Sequence, residues 1–203
     1  MSAKKFIYSI AAVIIIAIFI LYLFACLSST NSPSEKDFVQ RIREENRAGL
    51  DSLQTAIDKE DNLNERIKKS IETGDFKNAC ALIDSLPPFG KTEVTHVYTG
   101  MIAAAQKKYA KAIDEYNDAI KEDPYSNAVS LRAEVYIEMN RPEFALRDYK
   151  SIYEYNEDFS RDVANTFLLL HEKDSALKYF QIYLIHYPGD TAIQQKVKSL
   201  KSN

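Results

Sequence analysis

The stretch that decides the fold is Lys108-Tyr109-Ala110-Lys111-Ala112-Ile113-Asp114-Glu115-Tyr116, because the chain returns to the same pattern three more times. Aligned on one alanine, Asp75-Phe76-Lys77-Asn78-Ala79, Lys108-Tyr109-Ala110-Lys111-Ala112, Arg141-Pro142-Glu143-Phe144-Ala145 and Glu172-Lys173-Asp174-Ser175-Ala176 fall into register at spacings of 33, 33 and 31 residues. A fixed period of this length is the mark of a repeat architecture. Other columns follow. Four residues after the alanine stand Ile83, Tyr116, Tyr149 and Phe180, and seven after it stand Leu86, Ala119, Ile152 and Tyr183. Twelve before it stand Ile67, Gly100, Ala133 and Ala164.

The columns predict pairs of helices. A small residue in the first helix and alanine in the second let two backbones approach, and the bulky residue four places on fills the space against the next helix. Pro124 and Pro188 end second helices, since proline lacks a donor and clashes with the preceding turn. One pair cannot bury its apolar stripe alone, so several must stack and the end must be capped.

These residues resemble the tetratricopeptide repeat, a 34-residue helix–turn–helix unit. The resemblance implies an all-α superhelix of about four repeats over residues 60–189, with a C-terminal capping helix over 190–203. Repeat two carries it best, with Gly100, Ala112, Tyr116, Ala119 and Pro124. Repeat three has Glu157 where the pattern expects proline, and repeat four lacks two residues of its span. Repeat one is weakest, with Ile67 where a small residue is usual, and Leu63, His96, Val129 and Ser160 stand where the pattern often has tryptophan. In the capping helix, Asp190 or Thr191 is placed to cap the N-terminus, and Ile193, Val197 and Leu200 recur at helical spacing.

Ahead of the repeats lie two further segments. Residues 6–27 contain no charged side chain and follow Lys4 and Lys5. As a helix they would rise about 33 Å, enough to cross the hydrocarbon of a bilayer. Residues 1–27 therefore read as a transmembrane anchor or a lipoprotein signal. For the signal, Leu23-Phe24-Ala25-Cys26 resembles the lipobox of bacterial lipoproteins, with Cys26 the lipidation site and a polar run after it. Against it stand the bulky Phe24 and an apolar region longer than signal peptides use. Lys4 and Lys5 on the cytoplasmic side place the remainder exoplasmically, periplasmic if the cell is bacterial, either behind a membrane helix or as an outer-membrane lipoprotein. Residues 28–59 read as a polar tether followed by a connecting helix. Its stripe of Phe38, Ile42, Leu50, Leu53 and Ile57 is broken by Glu45, Asn46 and Gly49, so a coiled-coil dimer is not favoured.

Composition narrows the function. The net charge is −3, and setting Lys4 and Lys5 aside makes the rest about −5, a surface that repels phosphate backbones, so no nucleic acid is expected. The two cysteines, Cys26 and Cys80, form no CxxC pair, and Cys80 reads as a small buried hydrophobe. His96, His171 and His186 are scattered over different helices, and no P-loop or G-x-S-x-G is present, so no metal, no cofactor and no enzymatic activity are expected.

What remains is recognition of a protein or peptide. The resemblance implies that first helices line a concave groove, here through Asn64, Lys68, Val94, Val97, Met101, Ala104, Ser130, Glu134, Glu138, Arg161 and Asn165. Val97 and Met101 are the expected contacts, with Glu134 and Arg161 fixing orientation. Chaperone-binding members of the family seize a carboxylate with Lys, Asn and Arg at such positions. Asn64, Lys68, Val97, Met101, Ser130 and Glu134 largely lack that clamp. Two functions fit: a membrane-anchored adaptor, or a chaperone-like assembly factor for secreted or outer-membrane proteins.

Overall fold

The computed structural model describes residues 33–87 and 91–202. The apolar run of residues 6–27 and Cys26 lie outside the described residues. Among the described residues no helix is long and apolar enough to cross a membrane. They form nine α-helices and one 3-10 turn: α1 Pro33–Glu72, α2 Phe76–Asp84, α3 Lys91–Ala105, α4 Tyr109–Glu122, α5 Ala128–Glu138, α6 Pro142–Tyr153, the turn Glu157–Phe159, α7 Ser160–Leu169, α8 Lys173–His186 and α9 Thr191–Ser202. The chain divides into two compact units, residues 1–91 and 92–203.

In the first unit, α1 is a single helix of 40 residues, so no break separates the connecting helix from repeat one at residue 59. Its last turns supply Ile67 and Ile71 to a core completed by Ala79, Leu82, Ile83 and Leu86. Asp75 caps α2 by accepting from the Asn78 backbone N–H at 3.1 Å, and the Asn78 amide donates to Ser70 Oγ at 2.8 Å. Cys80 corrects the expectation of burial, for it is exposed. The buried stripe of α2 runs Ala79, Leu82, Ile83, Leu86, and one residue past Ala79 is about 100° off that stripe.

In the second unit, helices of a repeat pack on one another and each second helix packs on the first helix of the next repeat. Two clusters form its core. One gathers Val97, Ala103, Ala112, Tyr116, Ala119, Ala128 and Val135. The other gathers the third and fourth repeats with Ile193 and Val197 of α9. Across both units all sixteen positions of the four sequence columns are buried.

Each repeat turns at one residue with a left-handed backbone: Gly74 (φ 77°), Lys107 (φ 57°), Asn140 (φ 55°) and His171 (φ 60°). Each stands five residues before its repeat's alanine, so the turn shares the repeat's register. In the last three repeats the next backbone N–H reaches back over six residues, Lys108 to Ala103 at 2.8 Å, Arg141 to Tyr136 at 2.8 Å and Glu172 to Phe167 at 2.9 Å. These close the ends of α3, α5 and α7 as Schellman motifs.

The shortened last period has a specific location. From Ala112 to Ala133 there are 21 residues, and from Ala145 to Ala164 there are 19. The two residues are taken from the end of α6 and the connection after it, not from the fourth helix pair. That helix has 12 residues against 14 in α4, and the 3-10 turn replaces the missing chain.

A charged junction ties three helices of this unit. Arg132 of α5 donates from Nε and Nη2 to the two carboxylate oxygens of Asp148 in α6, at 2.8 and 2.7 Å, and from Nη1 to Asn117 Oδ1 in α4 at 2.5 Å. Asp148 is 5% exposed, so the pair is desolvated and depends on its bidentate geometry.

Candidate partner-binding face

Helices α3, α5 and α7 begin successive repeats of the second unit, and the residues expected to meet a partner stand on them. Val94 and Met101 are half-buried, and Met101 packs against the core cluster of repeats two and three. Val97 is a correction: at 6% exposure it belongs to that cluster and offers a partner almost no surface. Ala104 is half-buried against the same cluster.

On α5, Ser130 is half-buried with its hydroxyl donating to the Asn127 carbonyl at 2.8 Å, while Glu134 and Glu138 are exposed. On α7, Arg161 is exposed with its guanidinium 5.7 Å from the Tyr183 ring centre, and Asn165 accepts from Lys196 of α9 at 2.8 Å. Arg161 is thus held by an aromatic of its own repeat. In the first unit, Asn64 is half-buried and Lys68 is exposed, with Nζ 3.2 Å from Glu65.

Electrostatics link three carboxylates on α5 and α7. Burial holds the Glu134 carboxyl above its usual range, helped by the charges of Asp162 and Glu138. Burial also raises Asp162, against the opposing pull of Arg161. Tyr109 of α4 joins them: burial raises its hydroxyl, together with a hydrogen bond to Glu138 and that group's charge. The sequence reading named neither Asp162 nor Tyr109. An acidic residue beside Arg161 reads as one half of a local pair, and only packing shows that it faces Glu134.

The other predicted details of the unit resolve simply. Asp190 rather than Thr191 caps α9, accepting from the Ile193 N–H at 3.0 Å and from Tyr183 Oη at 3.1 Å, and the capping bond leads the effects that lower its carboxyl. His96 lies 2.8 Å from Glu115, and His186 lies 2.9 Å from Glu157, each joining two elements. Among the described residues no group of three or more His, Cys, Asp or Glu is placed to hold a metal ion.

No protein-family model and no curated protein matches the chain. Solved structures do. A tetratricopeptide repeat protein from Parabacteroides merdae superposes with a TM-score of 0.57 at 18% identity, over 71% of this chain and 60% of that one. The MamA MSR-1 C2 structure superposes with a TM-score of 0.52 at 11% identity, over 71% of this chain and 86% of that one. With the repeat register, the turn geometry and the buried columns, these likenesses define the class of the fold: an all-α repeat protein of tetratricopeptide type.

Proposed function

We propose that the chain is a non-catalytic scaffold that holds a protein or peptide partner against the first-helix face of its second unit, through Met101, Ser130, Glu134, Arg161 and Asn165. The observation that carries this reading is the state of that face. Glu134, Glu138 and Arg161 are exposed, whereas the second helices spend their conserved-period positions on the core. Glu134 and Asp162 share a desolvated region with like charge, which a partner bringing hydrogen-bond donors or positive charge relieves.

The scaffold is tethered to a membrane through residues 6–27 or through lipid on Cys26, with the repeats on the exoplasmic side. The uncharged run behind Lys4 and Lys5 supports this placement. Exposed Cys80 supplies the test of sidedness. A membrane-impermeant maleimide labels it in intact cells if the repeats are exoplasmic, and only after lysis if they are cytoplasmic. An intact mass lacking residues 1–25 and carrying acyl groups identifies the lipid anchor.

The adaptor role is tested by co-purification. A stoichiometric partner that survives washing and is lost from a Ser130→Arg/Glu134→Arg variant with native circular dichroism is the expected result. Retention by that variant moves the binding surface elsewhere.

A further inference from the structure

In the second unit successive helices are joined alternately at two edges. One edge holds the turns inside repeats, and the other holds the connections between repeats, residues 123–127, 154–159 and 187–190. Each connection carries an exposed tyrosine: Tyr125 at 66%, Tyr155 at 51% and Tyr187 at 41% exposure. They form one surface. The Tyr125 and Tyr155 rings meet edge to face with centres 5.2 Å apart. The Tyr187 hydroxyl donates to Asp158, and His186 contacts Glu157, fastening the third connection to the second.

A connection between helices needs a helix stop and a cap, which proline, asparagine and aspartate provide without large apolar side chains. Three exposed aromatics in register along one edge are the kind of clustered apolar surface that marks a binding site. Their setting has a sign. No lysine or arginine occurs in residues 122–127, 154–160 or 187–190, whereas Asp123, Glu154, Glu157 and Asp158 do. The opposite edge carries Lys107, Lys108, Arg141 and Lys173. An occupant that satisfies both rings and carboxylates must carry positive charge on a flat, weakly hydrated group, which is the chemistry of arginine rather than lysine. The chain displays the same combination internally: the Arg161 guanidinium lies over Tyr183, whose hydroxyl donates to Asp190.

We infer that the connection edge is a second docking surface, distinct from the first-helix face, that takes an arginine-bearing extended segment of another protein. Its guanidinium groups lie against Tyr125 and Tyr155 and pair with the neighbouring carboxylates.

The test is fluorescence anisotropy with the full chain in non-ionic detergent, titrated against labelled nona-arginine and, at equal charge, labelled nona-lysine. The expected result is saturable binding of the arginine peptide, about fivefold tighter than the lysine peptide, since each ring contributes a modest cation–π increment. A Tyr125→Ser/Tyr155→Ser variant loses that preference, Tyr125→Phe/Tyr155→Phe keeps it, and Glu134→Gln leaves it unchanged. Circular dichroism checks each fold, and if the serine pair unfolds, Glu154→Gln/Asp158→Asn replaces it and must weaken binding. Absence of saturable binding, equal affinity for the two peptides, or loss with Glu134→Gln in place of the edge variants overturns the inference.

Discussion

Gly100 and Tyr116 occupy complementary halves of one space: a Cβ on Gly100 would stand 2.5 Å from Tyr116 Cε1 and 2.7 Å from Cδ1. Tyr116 is 1% exposed, so the ring cannot yield without disturbing the core. The columns repeat this exchange of volume, with Ala133 and Tyr149, then Ala164 and Phe180, while repeat one reverses it with Ile67 and Ile83.

It follows that Gly100→Ala destabilises the protein by about 1–3 kcal/mol through overpacking, although alanine is intrinsically the better helix former by about 1 kcal/mol. Thermal unfolding of the full chain in mild detergent, followed by circular dichroism, measures it. A Gly100→Ala/Tyr116→Leu pair recovers part of the loss by trimming the ring. A single Gly100→Ala that stabilises the fold contradicts the packing argument.

The Arg132–Asp148 junction yields a double-mutant prediction. Asp148→Leu alone leaves a desolvated guanidinium and costs about 3–5 kcal/mol, whereas Arg132→Met/Asp148→Leu costs far less because no buried charge is stranded. The coupling energy from denaturant unfolding of the wild type, both single variants and the double variant checks it. Additive effects would show that the pair is not an electrostatic unit.

Lys107 and His171 adopt a backbone conformation that glycine adopts without steric cost. Lys107→Gly therefore stabilises the fold by about 0.5–1 kcal/mol, the relief of left-handed strain exceeding the added entropy of the unfolded chain. Gly74→Ala, which places a Cβ on the same conformation, destabilises it. Melting temperatures of the two variants should move in opposite directions.

The raised carboxyls of Glu134 and Asp162 set a pH dependence with a definite sign. Each binds its proton more tightly folded than unfolded, so its contribution to stability grows as pH falls through the folded pKa and is lost as pH rises above it. Glu134→Gln accordingly raises the melting temperature at pH 7, and the advantage shrinks toward pH 4. Unfolding of both proteins at the two pH values tests this.

The core was legible in the sequence because each buried position recurs once per repeat, and a column filled four times separates core from surface even where Ile67 replaces a small residue. The turns were not, since lysine and histidine carry no mark of a left-handed backbone and only their register with Gly74 and Asn140 reveals it. Cys80 was misread by residue type when its angular offset from Ala79 decides its exposure. Val97 was misread because a groove position inferred from the repeat pattern is apolar here, and an apolar side chain at that place joins Tyr116 in the core. The meeting of Glu134, Asp162 and Glu138 depends on how α7 packs beside α5, which no local pattern encodes. Tyr125 and Tyr155 come together for the same reason, across the shortened connection.

The central claim, that the first-helix face of the second unit holds the partner, is tested most directly by site-specific photo-crosslinking in cells. A benzophenone side chain is placed at Ser130 or Glu134 on α5, and, for comparison, at Lys111 on α4 or Lys150 on α6. Discrete adducts of one size from Ser130 and Glu134, with none from Lys111 and Lys150, are the predicted result. Adducts from the second helices alone, or equally from both sets, contradict it.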